Sequence, residues 1–179
     1  MTVPEHVLHT ARLYLRLFTP GDGEAVSAIF ADTEAKQFYP EMNRLDMAEK
    51  WVAKNLERYA TDGIGLWAAC LNETDELVGD CGLAYQDVEG SRELEVAYHL
   101  RADHRGRGLA TEGALACRDH AFETLDCKRV VSMVHPDNHA SKGVAQRVHT
   151  RTRRFRRLGD DYFLFFTPRE DWIMRRESQ

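Results

Sequence analysis

The chain has 179 residues, of which 43% are apolar and 30% charged, with a net charge of −5. That length is enough for about one domain with a core of its own, 1-179, and the balance is ordinary for a soluble globular protein. No apolar run approaches the ~20 residues that a bilayer span needs, which argues against a membrane partner. Glu5, Arg12 and Arg16 interrupt the stretch where a signal peptide would be apolar, so a cytoplasmic location is expected.

Four cysteines (Cys70, Cys81, Cys117, Cys127) show no Cys-x-x-Cys spacing and are expected to be reduced thiols. The eight histidines are scattered, so no metal site is expected. Six of the 24 basic residues lie between Arg147 and Arg157, with no acid among them. The rest of the chain is therefore an acidic body.

In chain order, Leu13, Leu15 and Leu17 alternate as a strand does. Thr19-Pro20-Gly21-Asp22 is a helix start, followed by an apolar stripe of Ala25, Val26, Ile29 and Phe30. Asp32 to Arg44 is polar and contains a proline. Asp46-Met-Ala-Glu49 has the form of a capping box, and Trp51, Val52, Leu56 and Tyr59 predict an amphipathic helix ending near Gly63. Leu66–Leu71 and Leu77–Leu83 predict a hairpin, and Glu89-Gly90-Ser91 a further turn. From Glu93, Leu94, Val96, Tyr98 and Leu100 share one strand face, and Glu93, Glu95, Ala97 and His99 the other. A helix follows from Gly108 to about Leu125. Val130–Val134 predicts a buried strand, Asp137-Asn138 a helix cap, and Tyr162–Phe166 a last strong strand.

The most specific signal is the turn between the Glu93–Leu100 strand and the helix after it. A strand, a glycine-rich turn and a helix N-terminus make an anion site, because unpaired N–H groups and the helix dipole converge there. Gly106 and Gly108 let the backbone approach the anion. A Walker A loop is absent, and the dinucleotide fingerprint fails at Thr111. Arg105-Gly106-Arg107-Gly108-Leu109-Ala110 instead resembles the acetyl-CoA pyrophosphate loop of the GNAT N-acetyltransferases. With Glu-Val-Ala-Tyr before it and Ala-Thr-Glu after it, the stretch is most similar to the RimJ/RimL branch. Asn138-His-Ala-Ser141-Lys-Gly-Val144 is similar to the family's second motif.

The resemblance implies an α+β, three-layer fold. Its central sheet would be mixed, mostly antiparallel and flanked by helices, with a V-shaped splay between the fourth and fifth predicted strands. It implies acetyl-CoA as co-substrate and an amine acceptor, either a protein N-terminal α-amine or a small amine. The backbone of Arg105, Gly106, Arg107, Gly108, Ala110 and Thr111 would hold the pyrophosphate, with Arg107 or Arg105 adding charge. Tyr98, His99 and Leu100 would pair with the pantetheine arm, and Asn138 would contact it from the far wall. The family's Tyr seven residues after the motif Asn is Ala145 here. The Gly expected to end that helix is missing, and Arg147 to Arg157 stands where a strand would follow.

Acetyl transfer needs a neutral amine. Deprotonation at pH 7 costs roughly 4–5 kcal/mol for a lysine-like amine and about 1 kcal/mol for a chain N-terminus. Glu95 matches the family's base. The alternative is that Glu93 and Glu95 form a solvated face. His99 is either a relay member or structural. Ser141 is the polar group that would assist the leaving thiolate, or it simply satisfies a backbone donor. The segment 32–44, with Phe38, Tyr39 and Glu41, would gate the acceptor, and an acidic body suits a cationic amine. Two other readings stay open: a CoA-binding module without catalysis, and nucleic-acid or ribosome contact through the arginines. Monomer and homodimer are equally compatible.

Overall fold

The computed structural model describes residues 6–178; Glu5 lies outside the described residues. Eight strands form one sheet in the order β1-β2-β3-β4-β5-β6-β8-β7. They are β1 (His6–His9), β2 (Leu13–Arg16), β3 (Leu66–Leu71), β4 (Leu77–Val88), β5 (Ser91–Leu100), β6 (Arg129–Val134), β7 (Arg151–Arg157) and β8 (Asp160–Pro168). All neighbours are antiparallel except β5 and β6. That parallel pair is joined only through Leu94–Val130 and Glu95–Val131. Beyond Glu95 the two strands part, which is the expected V-shaped splay.

Helices cover both faces. On one, α1 (Gly23–Ile29), α2 (Thr33–Phe38) and α3 (Leu45–Asp62) pack Val26, Ile29, Phe30, Ala48 and Val52 on Tyr14, Ala68 and Cys70. On the other, α4 (Leu109–Thr124) and α6 (Arg169–Glu177) place Ala114, Cys117, Phe122 and Trp172 on Leu15, Trp67, Leu83, Leu94 and Val96. The period-two alternation of β2 and β3 thus feeds two cores. Each fully buried Leu or Val in them contributes about 1.5–3 kcal/mol. The fifth helix, α5 (His139–Val148), packs between α4 and β6.

Four local expectations change. A strand, β1, precedes the first predicted one. The segment after Asp32 contains the short helix α2, which Asp32 caps by accepting from Glu34 N and Ala35 N at 3.1 Å each. The capping box at Asp46 is not formed: α3 begins at Leu45, so Asp46 lies inside the first turn and pairs with Arg44. The arginine segment, which lacks the apolar alternation of a strand, is nonetheless strand β7 of a hairpin with β8. It turns into β8 through Leu158 and Gly159, both at positive φ (52° and 94°), as a two-residue hairpin turn requires. No αL glycine is needed after α5, because His149 passes directly into extended backbone (φ −104°, ψ 162°).

The arginines of β7 fall on both faces of the strand, Arg151, Arg153 and Arg157 on one and Arg154 and Arg156 on the other. Arg151 pairs with Asp171 and Arg153 with Glu89. Arg154 lies over the Phe163 ring, and Arg156 approaches Asp161 at 4.0 Å. Four of the five arginines of β7 thus have an acidic or aromatic partner beside them. No helix among the described residues is long and apolar enough to cross a membrane.

The seam between α3 and β3 rests on Asn55, which is fully buried. Its Nδ2 donates to Trp51 O (3.0 Å), while its Oδ1 accepts from Leu66 N (2.9 Å) and Arg58 Nη1 (3.2 Å). Asn55→Leu keeps the volume but strands a buried amide. It should lower the unfolding free energy by about 1–3 kcal/mol in urea titration; an unchanged midpoint would show that the latch contributes nothing.

Candidate active site

The loop between β5 and α4 is built around two left-handed glycines, Gly106 (φ 75°) and Gly108 (φ 80°), the latter capping α4. No atom lies within 4 Å of the point where a Cβ on Gly106 would sit. The first turn of α4 opens onto a cavity of about 760 Å³ lined by Gly106, Gly108, Leu109, Ala110 and Thr111. Opposite stand Asn138, Ser141, Val144 and Arg147 of α5 and its cap. Glu112 anchors the loop from within the helix by accepting from Thr10 Oγ1 (2.6 Å), Arg12 N (2.8 Å) and Arg12 Nε (2.7 Å). Arg12 in turn donates to Arg107 O at 2.8 Å.

The two loop arginines behave differently from each other. The Arg105 guanidinium is engaged bidentately by Asp32 (2.9 and 2.8 Å), and its Nε donates to Leu100 O at 2.9 Å. It pins α2 over the cavity rather than adding free charge to it. Arg107 is exposed and does not border the cavity; its carbonyl, not its side chain, holds the loop. The cation that sequence reasoning missed here is Arg147, fixed by its donation to Gly143 O at 2.8 Å. It was read only as part of a basic run.

On the other side of β5 a second cavity, of about 500 Å³, holds Glu95. Phe38, Tyr39, Tyr98, His99, Asn138 and Ser141 border both cavities, so the two meet there. Glu95 is buried, not on a solvated face, and accepts from Met133 N at 3.2 Å. Burial raises its pKa, opposed by the Met133 N–H and by the nearby positive charge of Arg157. Glu93, two residues earlier, is instead bound bidentately to Arg129.

His99 is not a lone strand histidine. Its Nδ1 lies 2.6 Å from Asp80 Oδ1 and its Nε2 3.0 Å from Tyr39 Oη. Trp51 Nε1 donates to the other oxygen of Asp80 at 2.8 Å. The ring is thus held at both nitrogens, by the Asp80 carboxylate on one side and the Tyr39 hydroxyl on the other. Burial, with Glu95 and Asp80 nearby, raises the Tyr39 pKa and keeps the phenol protonated. Tyr39 was visible only as part of a polar segment, because its partners come from 60 residues away. Glu41, named with it, is exposed and borders neither cavity.

Tyr98 donates to Ser141 O at 2.9 Å, tying β5 to α5 across the splay. Asn138 caps α5 by accepting from Ser141 N at 3.0 Å. Ser141 Oγ has no hydrogen-bond partner among the described residues. Val96 O accepts from Ser132 Oγ (2.7 Å) and Leu100 O from Arg105, so the open backbone groups of β5 between them are those of Tyr98. No group of three or more His, Cys, Asp or Glu among the described residues is arranged to hold a metal ion.

The chain belongs to the GNAT acetyltransferase family: the model of the acetyltransferase (GNAT) domain matches residues 12–151. It is an acetyltransferase, in line with its relatives. YkkB of Bacillus subtilis (strain 168) is 29% identical over 142 residues, 79% of this chain and 83% of its own. The uncharacterized N-acetyltransferase p20 of Bacillus licheniformis is 28% identical over 136 residues, 73% of this chain and 74% of its own. An acetyltransferase structure from Agrobacterium tumefaciens str. C58 superposes with a TM-score of 0.76 at 28% identity, over 93% of this chain and 95% of that one. RimJ from Mycobacterium smegmatis, solved with CoA-disulfide, shares the fold at 19% identity (TM-score 0.75, 94% of this chain and 89% of that one).

Asp32 both caps α2 and binds Arg105, and substitution separates the two roles. Asp32→Asn should keep the cap and lose the charge, while Asp32→Ala loses both. In hydrogen exchange of residues 33–38, the Ala variant should open faster than the Asn variant, with the cap worth about 0.5–2 kcal/mol. Equal exchange in both variants would assign all of the effect to the ion pair.

Proposed function

We propose that this chain transfers the acetyl group of acetyl-CoA to a primary amine, with Glu95 as general base. The observation that carries the reading is the meeting of the two cavities at Tyr98, His99, Asn138 and Ser141, with the buried Glu95 carboxyl on the far side from the glycine loop. The 760 Å³ cavity suits the co-substrate: N–H groups from Arg105 to Thr111 would hold the pyrophosphate, and the open backbone of Tyr98 would pair with the pantetheine arm. Arg147 and Asn138 would line the opposite wall.

The amine nitrogen attacks the thioester carbonyl, the C–N bond forms and the C–S bond breaks. The nitrogen's proton goes to Glu95, and the thiolate takes one from Ser141 or from solvent. A free thiol has a pKa near ~8.5, so unaided departure is accessible. The chain His99–Asp80 fixes Tyr39 where it meets both substrates. Fold likeness to a ribosomal L7/L12 alpha-N-protein acetyltransferase (TM-score 0.76, 18% identity, 93% of this chain and 99% of that one) supports a protein N-terminal α-amine as one acceptor class. The modest volume of the second cavity, about 500 Å³, supports a small amine as the other.

Two measurements test this. Gly108→Asp places a side chain and a negative charge at a residue with φ 80°, in the cradle itself. Calorimetric affinity for acetyl-CoA should fall at least about tenfold, since backbone strain and charge repulsion act together; unchanged affinity removes the loop from the cofactor site. Glu95→Gln should lower kcat/KM by about 10²–10⁴ for a lysine-like amine while leaving acetyl-CoA affinity intact. The base works only when ionised, and its pKa is raised. Wild-type kcat/KM should therefore rise with pH through a limb above the ordinary carboxylate range, and the Gln variant should lack that limb. Tight acetyl-CoA binding without thiol release from any amine, and no effect of Glu95→Gln, would favour a non-catalytic CoA-binding module.

A further inference from the structure

The charge of the acceptor cavity is opposite to that of the chain. The sequence has 29 acidic against 24 basic residues, yet the cavity around Glu95 has one acidic residue in its lining and three cations, Lys54, Arg58 and Arg157. Most arginines of this protein are spoken for: Arg16 by Asp22, Arg105 by Asp32, Arg129 by Glu93, Arg151 by Asp171 and Arg153 by Glu89. Among the described residues, no carboxylate lies within ion-pair distance of Lys54, Arg58 or Arg157.

The three cations come from two elements, and one of them is fixed in place. Lys54 and Arg58 are four apart on α3, so they share a face and repel one another. Arg58 is nonetheless held there by Asn55 Oδ1 at 3.2 Å, and Asn55 is itself locked by Trp51 O and Leu66 N. Arg157 comes from a different element. It is the last residue of β7 before the tight turn, and the strand's alternation puts it on the face of buried Phe155 and of Arg153. That face looks toward β4 and β5, where Arg153 reaches Glu89. An oxyanion seated among the three would relieve the repulsion on α3 and give the planar Arg157 fork a bidentate partner. Such a lining disfavours the cationic acceptor that the overall charge suggested.

We infer that the acceptor is an amine bearing a carboxylate, bound by Arg157 with Arg58 and Lys54 while its amino group faces Glu95. The inference deepens the acetyl-transfer reading and rests on it for the position of the amine. The carboxylate can belong to a free amino acid or to an acidic side chain beside a peptide N-terminus.

Calorimetry with CoA present, using product analogues, tests the carboxylate without requiring turnover. The probes are N-acetylalanine against its carboxamide, and N-acetyl-Ala-Asp-amide against N-acetyl-Ala-Asn-amide. The carboxylate member of at least one pair should bind about tenfold or more tightly than its twin. Arg157→Ala should abolish that preference, Arg157→Lys should keep part of it, and CoA affinity should be unchanged in both. The pair that discriminates identifies the source. Equal or undetectable binding of both members in both pairs, or a preference unaffected by Arg157→Ala, overturns the inference. Thiol release with the corresponding unacetylated amines is the second arm. A carboxylate preference in binding with no thiol release from any amine would refute acetyl transfer and leave the anion site standing. Thiol release that ignores the carboxylate would do the reverse.

Discussion

The separation of β5 from β6 is the constraint on which the rest depends. Two adjacent parallel strands that stop pairing leave a row of backbone groups without partners, and burying such groups is costly. Here side chains take the place of the ladder. The Glu95 carboxylate accepts from Met133 N, Ser132 Oγ donates to Val96 O, and Tyr98 Oη donates to Ser141 O. Ser132 is itself held by His149 Nε2 at 3.0 Å, whose other ring nitrogen meets Thr167 Oγ1. Burial, with Arg118 and Arg175 nearby, pushes the His149 pKa down to about 3, so this brace stays neutral across the physiological range. The gap is thus held open by specific hydrogen bonds, and Glu95 is one of them as well as the proposed base.

Several wall residues do two jobs at once. Asn138 ends a loop and caps α5. Asp32 caps α2 and fixes Arg105, which also ties off β5 at Leu100. Asp80 joins Trp51 of α3 to His99 of β5, and through it reaches Tyr39 beyond α2. The walls of both cavities are therefore set by helix termini and by one buried polar chain, not by long loops. Hydrogen bonds of that kind fix side-chain orientation far better than apolar packing alone, since each donor has a direction.

The parts of this architecture legible in the sequence are those with local causes. Strand alternation in β5, the glycines before α4 and the Asn138 cap are each written in a few consecutive residues, and all stand where they were expected. What escaped was set by distant partners. The short helix α2 has six residues, too few for a hydrophobic period, and depends on Asp32 and on Arg105 far along the chain. Strand β7 has arginines where apolar residues would mark a buried face. Its pattern becomes intelligible only once Glu89, Asp171 and Phe163 are known to lie beside it. The roles of Arg105 and Arg107 were not separable from the motif, because the difference lies in which of them finds a carboxylate.

Strand β7 lies at the sheet's edge, with β8 as its sole strand neighbour among the described residues. An edge strand can accept changes in its side chains without disturbing a second ladder, whereas β4 is paired on both sides and β5 is paired on both sides as far as Glu95. In the acceptor role proposed for it, Arg157 would stand on the strand that can change most freely, apart from the strands that line the glycine-loop cavity. Lineages descending from one ancestral fold could exchange one acceptor for another through a handful of β7 substitutions, with the acetyl-donor half left untouched.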